Sequence, residues 1–166
     1  AEILYGLALD FAGLTGEETA VDLYCGAGTI TLCLAQRVKR AIGVEIVPEA
    51  IRDAKENAHR NGLTNVEFFC ADAAPAAARF ASEGVRPQVI TLDPPRKGLA
   101  PEVIGSIAAM APERVVYISC DPATLARDAK RFAEVGYFPE KAVAVDLFPR
   151  TSHVETILFM TKQHVL

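Results

Sequence analysis

Apolar residues recur along this chain in two alternating periods. Ile3, Leu4, Leu7, Ala8 and Phe11 are spaced three and four apart and predict a helix that Gly13 and Gly16 end. A short continuous apolar run over 20–24 then breaks at Cys25-Gly26-Ala27-Gly28, which predicts a buried strand entering a glycine turn. Ile30, Leu34 and Val38 predict the next helix. The alternation continues with strands over 41–45, 66–70, 88–92 and 114–119. Between them the pattern predicts a helix from Pro48 to a stop at Gly62, an Ala-rich helix to about Ser82, and helices over 101–110 and 122–135. The tail differs: 141–147 and 155–161 are β-rich with no helix between them, and should pair antiparallel at the sheet edge.

Strands alternating with helices of this length mean βαβ units. The expected fold is α/β: a doubly wound, mostly parallel, Rossmann-like sheet of seven strands, with an antiparallel last strand and helices on both faces. Ligands of such a sheet lie beyond the carboxyl ends of its strands. With 166 residues, 51% of them hydrophobic, the chain has enough for one domain over 1–166 and too little for two. Its net charge of −4 provides no basic excess for gripping phosphates, so much of any grip on nucleic acid should come from elsewhere. No apolar run is long enough for a membrane span, and residues 1–10 lack the basic start of a signal peptide. Cys25, Cys33, Cys70 and Cys120 form no C-x-x-C pair and no metal-ligand spacing, so no metal is expected and the simplest compartment is a reducing cytoplasm.

The candidate chemistry falls at the predicted strand ends. Asp22, Tyr24, Gly26 and Gly28 lie in the glycine loop, where backbone can approach a ligand closely. The dinucleotide fingerprint requires a third glycine, and Thr31 stands there. Glu45 ends strand two, where an acid can bind ribose hydroxyls. Asp72 follows strand three, where an acid can accept from an adenine amino group; capping the next helix is the alternative role. Together they describe an adenosine site without a required pyrophosphate, which suits S-adenosylmethionine better than NAD.

Asp93-Pro94-Pro95-Arg96-Lys97-Gly98 follows strand four, and its two prolines stiffen the chain behind Asp93 at the mouth of that site. Cys120 ends strand five just before a helix with Asp121 as N-cap and Pro122 as first residue. The helix dipole favours thiolate there, Asp121 opposes it, and the position suits a nucleophile better than a packed structural cysteine. His153 and Glu155 lie two apart, share a face in extended chain, and either could serve as a base. An NAD(P)-dependent oxidoreductase and a non-catalytic binding module are the competing readings.

These strings together resemble the RNA (uracil-5-)-methyltransferases, which make 5-methyluridine. The matches are DLYCGAGTITL at 22–32, GVEIVPEAI at 43–51, DPPRKGL at 93–99, SCDPATLARD at 119–128 and FPRTSHVET at 148–156. Their wording is closer to the ribosomal-RNA branch, with transfer RNA as the alternative substrate. The resemblance implies that Cys120 is the nucleophile towards carbon 6 of the uracil, Glu155 the base that takes the carbon 5 proton, and Asp93 a contact that activates the ring. It also implies that Gly26, Glu45 and Asp72 hold S-adenosylmethionine. The chain departs from the family wording at Asp121, where an asparagine is usual. Family members carry an upstream RNA-binding segment, so 1–166 is expected to be the catalytic domain of a longer protein.

Overall fold

The computed structural model describes residues 2–146 and 154–163. Thirteen elements follow one another: α1 (Glu2–Ala12), β1 (Thr19–Leu23), α2 (Thr29–Ala35), β2 (Arg40–Glu45), α3 (Pro48–Arg60), β3 (Val66–Cys70), α4 (Ala73–Ser82), β4 (Val89–Leu92), α5 (Pro101–Met110), β5 (Arg114–Ser119), α6 (Pro122–Glu134), β6 (Tyr137–Val145) and β7 (Glu155–Lys162). They form a seven-stranded sheet in the order β3-β2-β1-β4-β5-β7-β6. The first five strands run parallel, and β7 pairs antiparallel with both β5 and β6.

Side-chain alternation explains how a sheet this apolar is covered on both faces. Val21, Leu23, Ile90, Leu92, Val115 and Tyr117 face one core, filled by Phe80 of α4, Ile107 of α5 and Phe132 of α6. Ala20, Val89, Val116 and Ile118 face the other, filled by Leu4 and Ala8 of α1 and by Ile30 and Leu34 of α2. The amphipathic helices end where the chemistry dictates. Pro48, Pro101 and Pro122 each stand in a first helical turn, where a missing N–H costs nothing.

Several boundaries differ from the sequence reading by one to a few residues, and two of the differences have a clear physical cause. β1 stops at Leu23, one residue early, because Tyr24 adopts a left-handed φ of 67° that no strand can continue. β6 begins at Tyr137 rather than near 141. Its outer half is exposed and contains Pro139, next to a register irregularity between Pro139 and Lys141. Neither feature gives a strand-like alternation, and the edge position is what tolerates the proline.

At the far end of the sheet, Glu18 is buried and accepts hydrogen bonds from the Thr15 and Gly16 N–H groups and the Thr15 hydroxyl. These bonds outweigh burial and hold its carboxyl at about 2. Arg114 reaches it at 3.4 Å, closing the loop between α1 and β1 onto β5. The residues singled out from the sequence lie at the other end.

Candidate active site

The parallel strands deliver the predicted residues to one edge of the sheet. Tyr24 follows β1, Glu45 ends β2, Asp72 follows β3, Asp93 follows β4 and Cys120 follows β5. β7 runs the other way, so its first residue, Glu155, arrives at the same edge. Ser119, which precedes Cys120, is paired with Thr156, which follows Glu155, so the two residues stand at the same end of neighbouring strands.

An open cavity of about 480 Å³ lies over the ends of β1 to β4, lined by Tyr24, Glu45, Ile46, Asp72, Asp93 and Lys97 among others. The Glu45 carboxylate is fixed by two backbone donors: the Gly26 N–H at 3.1 Å on one oxygen and the Val47 N–H at 3.0 Å on the other. This ties the glycine loop to the end of β2. Asp72 occupies the N-cap position of α4, yet its side chain makes no capping bond and lines the cavity instead. Burial, and after it the charge of Asp72, pushes the Tyr24 phenol up to about 12, so it stays a neutral hydroxyl in the cavity wall.

Three residues expected to hold a ligand are placed otherwise. Asp22 is fully buried and does not line the cavity. It accepts from the Thr31 hydroxyl at 2.6 Å and the Thr91 hydroxyl at 2.8 Å, pinning α2 and β4 to β1. Burial pushes its carboxyl up to about 7, against the pull of those two hydroxyls. Thr31, where the dinucleotide fingerprint needs glycine, is thus a buried donor with a partner. Gly28 is buried as well; a Cβ there would come within 3.0 Å of Ala54 Cβ and 3.1 Å of Phe68 Cζ. Gly26 contributes through its N–H to Glu45, and neither glycine lines the cavity.

Asp93 joins the cavity to the Cys120–Glu155 end of the sheet. It is half-buried, and burial, reinforced by the charge of Glu155, pushes its carboxyl up to about 6. Cys120 is half-buried and free, as are Cys25, Cys33 and Cys70. Its backbone is held on both sides. The Ser119 hydroxyl donates to the Asp121 carbonyl at 2.9 Å and accepts the Asp121 N–H at 3.0 Å. Asp121 then caps α6 by accepting the Thr124 N–H at 2.9 Å, which lowers its pKa. By contrast, burial raises the Cys25 thiol, in keeping with a packed hydrophobe. His153 lies outside the described residues.

Two residues were not singled out from the sequence. Tyr5 of α1 is half-buried, and its phenol is raised first by burial and then by the charges of Asp93, Asp22 and Glu155, which places it near that end of the sheet. Asp128 of α6 is fully buried beneath the loop that follows Asp93. Its signal was an acid in the apolar stripe of Leu125 and Phe132. Among the described residues no cluster of three or more metal-ligating side chains occurs, and no helix is long and apolar enough to cross a membrane.

Known proteins are similar to this chain in sequence and in fold. Uncharacterized RNA methyltransferases from Lactiplantibacillus plantarum and Halalkalibacterium halodurans are 52% and 51% identical over 98% and 94% of the chain, which covers 36% and 34% of their lengths. The chain therefore spans about a third of the curated relatives it matches. The solved Pyrococcus abyssi tRNA (uracil-54, C5)-methyltransferase, in complex with S-adenosyl-L-homocysteine, superposes with a TM-score of 0.80 at 31% identity, over 94% of this chain and 37% of that one. A magnesium protoporphyrin IX methyltransferase from Synechocystis shares the fold alone, with a TM-score of 0.72 at 17% identity over 98% of this chain and 77% of that one. The model of the tRNA (uracil-5-)-methyltransferase family matches residues 6–163, and the chain belongs to that family.

Proposed function

We propose that this chain is the catalytic domain of an S-adenosylmethionine-dependent enzyme that methylates carbon 5 of a uridine in RNA through a covalent bond from Cys120. The reading is supported by the placement of Asp93, Cys120 and Glu155 at the same end of the neighbouring strands β4, β5 and β7, with Asp93 also lining a cavity that holds Glu45 and Asp72. That cavity fits the cofactor. Glu45, fixed by two backbone N–H groups, would bind the ribose hydroxyls, Asp72, free of capping duty, would accept from the adenine amino group, and Ile46 with Val103 would supply apolar surface for the purine. When bound, S-adenosylmethionine supplies a methyl group on a positively charged sulfur, which carbon 5 takes up.

The chain's own residues do the remaining work. Carbon 5 of uracil is a weak nucleophile. The Cys120 sulfur, as thiolate, forms a bond to carbon 6, and the electron pair of the ring double bond moves towards the carbonyl at carbon 4. Asp93, between cavity and nucleophile, binds the polar edge of the ring and orients it. After carbon 5 is methylated, Glu155 accepts its proton, the double bond re-forms and the bond from Cys120 to carbon 6 breaks. A uridine inside folded RNA must leave its stack to reach these groups.

The motif strings at 93–99, 119–128 and 148–156 resemble the ribosomal-RNA branch of the family, so ribosomal RNA, of the 23S class, is the substrate assigned; transfer RNA is the alternative. Because the chain carries a net charge of −4, most of the salt-dependent grip on RNA is assigned to the remainder of the protein. The test is nucleoside analysis after incubating the whole protein with methyl-deuterated cofactor and either RNA. Labelled 5-methyluridine in ribosomal RNA supports the assignment, label in transfer RNA alone moves the substrate class, and label on another nucleoside refutes the reaction.

A further inference from the structure

The loop that carries Asp93 and the helix that follows Cys120 are bolted together by one buried carboxylate. Asp128 is fully buried on α6. One of its oxygens accepts the Leu99 N–H at 2.9 Å and the Tyr117 hydroxyl at 2.7 Å. The other accepts from Arg127 Nε at 3.1 Å and Nη2 at 3.0 Å, and from Arg131 Nη1 at 3.4 Å. The same Arg127 Nη2 donates to the Lys97 carbonyl at 2.7 Å, and Arg131 Nη1 to the Leu99 carbonyl at 3.5 Å. Residues 97–99 are thereby held to α6 through both N–H and carbonyl groups.

The fit leaves no slack. Gly98 has a left-handed φ of 74°, and a Cβ on it would lie 2.4 Å from the Asp128 carboxylate, 2.4 Å from Thr124 and 2.6 Å from Arg127. Two prolines restrict the chain between Asp93 and the clamp, and Asp121 and Pro122 alone separate Cys120 from the rest of α6. Tyr117, fully buried on β5 two residues before Ser119, closes the triangle between sheet, loop and helix. Replacing Asp128 alone by an apolar residue would leave the Leu99 N–H, the Tyr117 hydroxyl and the Arg127 and Arg131 guanidiniums without this acceptor, so it is the carboxylate, and not the bulk of the side chain, that holds the loop to α6.

We propose that Asp128 is a positioning residue that sets the placement of Asp93 relative to Cys120 by clamping the loop after β4 onto α6. The assignment of its catalytic consequence rests on the proposed uridine methylation; the clamp itself does not. Replacing one carboxylate oxygen by an NH2 group in D128N sets donor against donor, either at the Leu99 N–H and Tyr117 hydroxyl or at the arginines, so one half of the clamp is lost.

The test measures two things in the whole protein, wild type and D128N, at a temperature where both are folded by circular dichroism. The first is hydrogen exchange over 94–101 and 120–125. The second is 5-methyluridine formation at saturating RNA and cofactor. Exchange in those two segments should rise at least about tenfold with β1 and β4 unchanged, and kcat should fall at least about 20-fold with the KM for RNA within about threefold. Unchanged exchange overturns the clamp. Faster exchange with kcat within threefold of wild type overturns the positioning role. A wild type that makes no 5-methyluridine from any RNA offered refutes the proposed function, and the exchange result still decides the clamp. Should D128N not fold, Y117F removes a single donor to the same oxygen and is read by the same two measurements, with smaller shifts in the same direction expected.

Discussion

The carboxyl group of Glu155, first residue of the antiparallel strand, lies close enough to that of Asp93 for its charge to add to burial in pushing Asp93 up to about 6. Two acids share one end of the sheet because β7 enters it from the opposite direction to β4 and β5. Placing like charges together costs stability, and that cost predicts how the protein responds to pH.

Asp93 has a raised pKa in the folded state, so folding favours its protonated form. Its stabilising contribution is complete below the ordinary value of 3.8 and is lost as pH rises through about 6. Asp93→Asn removes that dependence. Between about pH 4 and 6.5, wild type should lose on the order of 1–3 kcal/mol relative to D93N, with D93N the more stable at pH 8. Urea unfolding of both proteins across that range checks it; parallel curves would show that Asp93 is not held against its charge.

Glu155 is assigned as the base that frees the product. Glu155→Gln should still permit attack and methylation but slow elimination at least about 100-fold, so protein covalently attached to RNA accumulates. A denaturing gel with labelled RNA reads this directly. Normal turnover without adduct would move the base elsewhere, with Tyr5 and His153 the next residues to replace.

Glu45 holds the glycine loop as well as facing the cavity. Glu45→Ala should weaken binding of S-adenosylhomocysteine by about 2 kcal/mol, roughly 30-fold, while the fold survives. Isothermal titration gives the number. An affinity within threefold of wild type would show that the ribose is held by other groups.

Gly43, in the middle of β2, has no room for a methyl group: a Cβ would stand 2.7 Å from the Phe68 ring and 3.0 Å from Cys25 Sγ. Gly43→Ala should cost about 1–3 kcal/mol of stability, because overpacking here displaces an aromatic ring that also abuts the glycine loop. Thermal unfolding checks the cost, and cofactor titration on the same variant reads the disturbance of the loop.

The fold was legible from alternation alone, down to strands and helices such as Val66–Cys70, Pro101–Met110 and Arg114–Ser119, whose bounds match the pattern. Burial on both faces makes such strands short continuous apolar runs, and the intervening helices carry clear caps. The outer half of β6 was not legible, because an exposed edge strand has no buried face to impose a period. At the site, strand-end acids could be read by position: Glu45, Asp72 and Asp93 all reach the cavity. Asp22 could not, since only the structure shows that Thr31 and Thr91 close over it. Asp128 was hidden for the opposite reason. Its five donors come from Leu99, Tyr117, Arg127 and Arg131, which only the folded chain brings together.

The central claim is a covalent bond between Cys120 and the base. The direct measurement is the intact mass of the whole protein after mixing with S-adenosylmethionine and ribosomal RNA containing 5-fluorouridine. Fluorine on carbon 5 cannot leave as a proton, so Glu155 cannot complete the reaction and the complex is trapped. The account predicts a species heavier than the protein by one RNA and one methyl group, absent in Cys120→Ser, which should keep wild-type stability. Methylation of ordinary uridine by Cys120→Ser at the wild-type rate, or an adduct that persists in that variant, would contradict it.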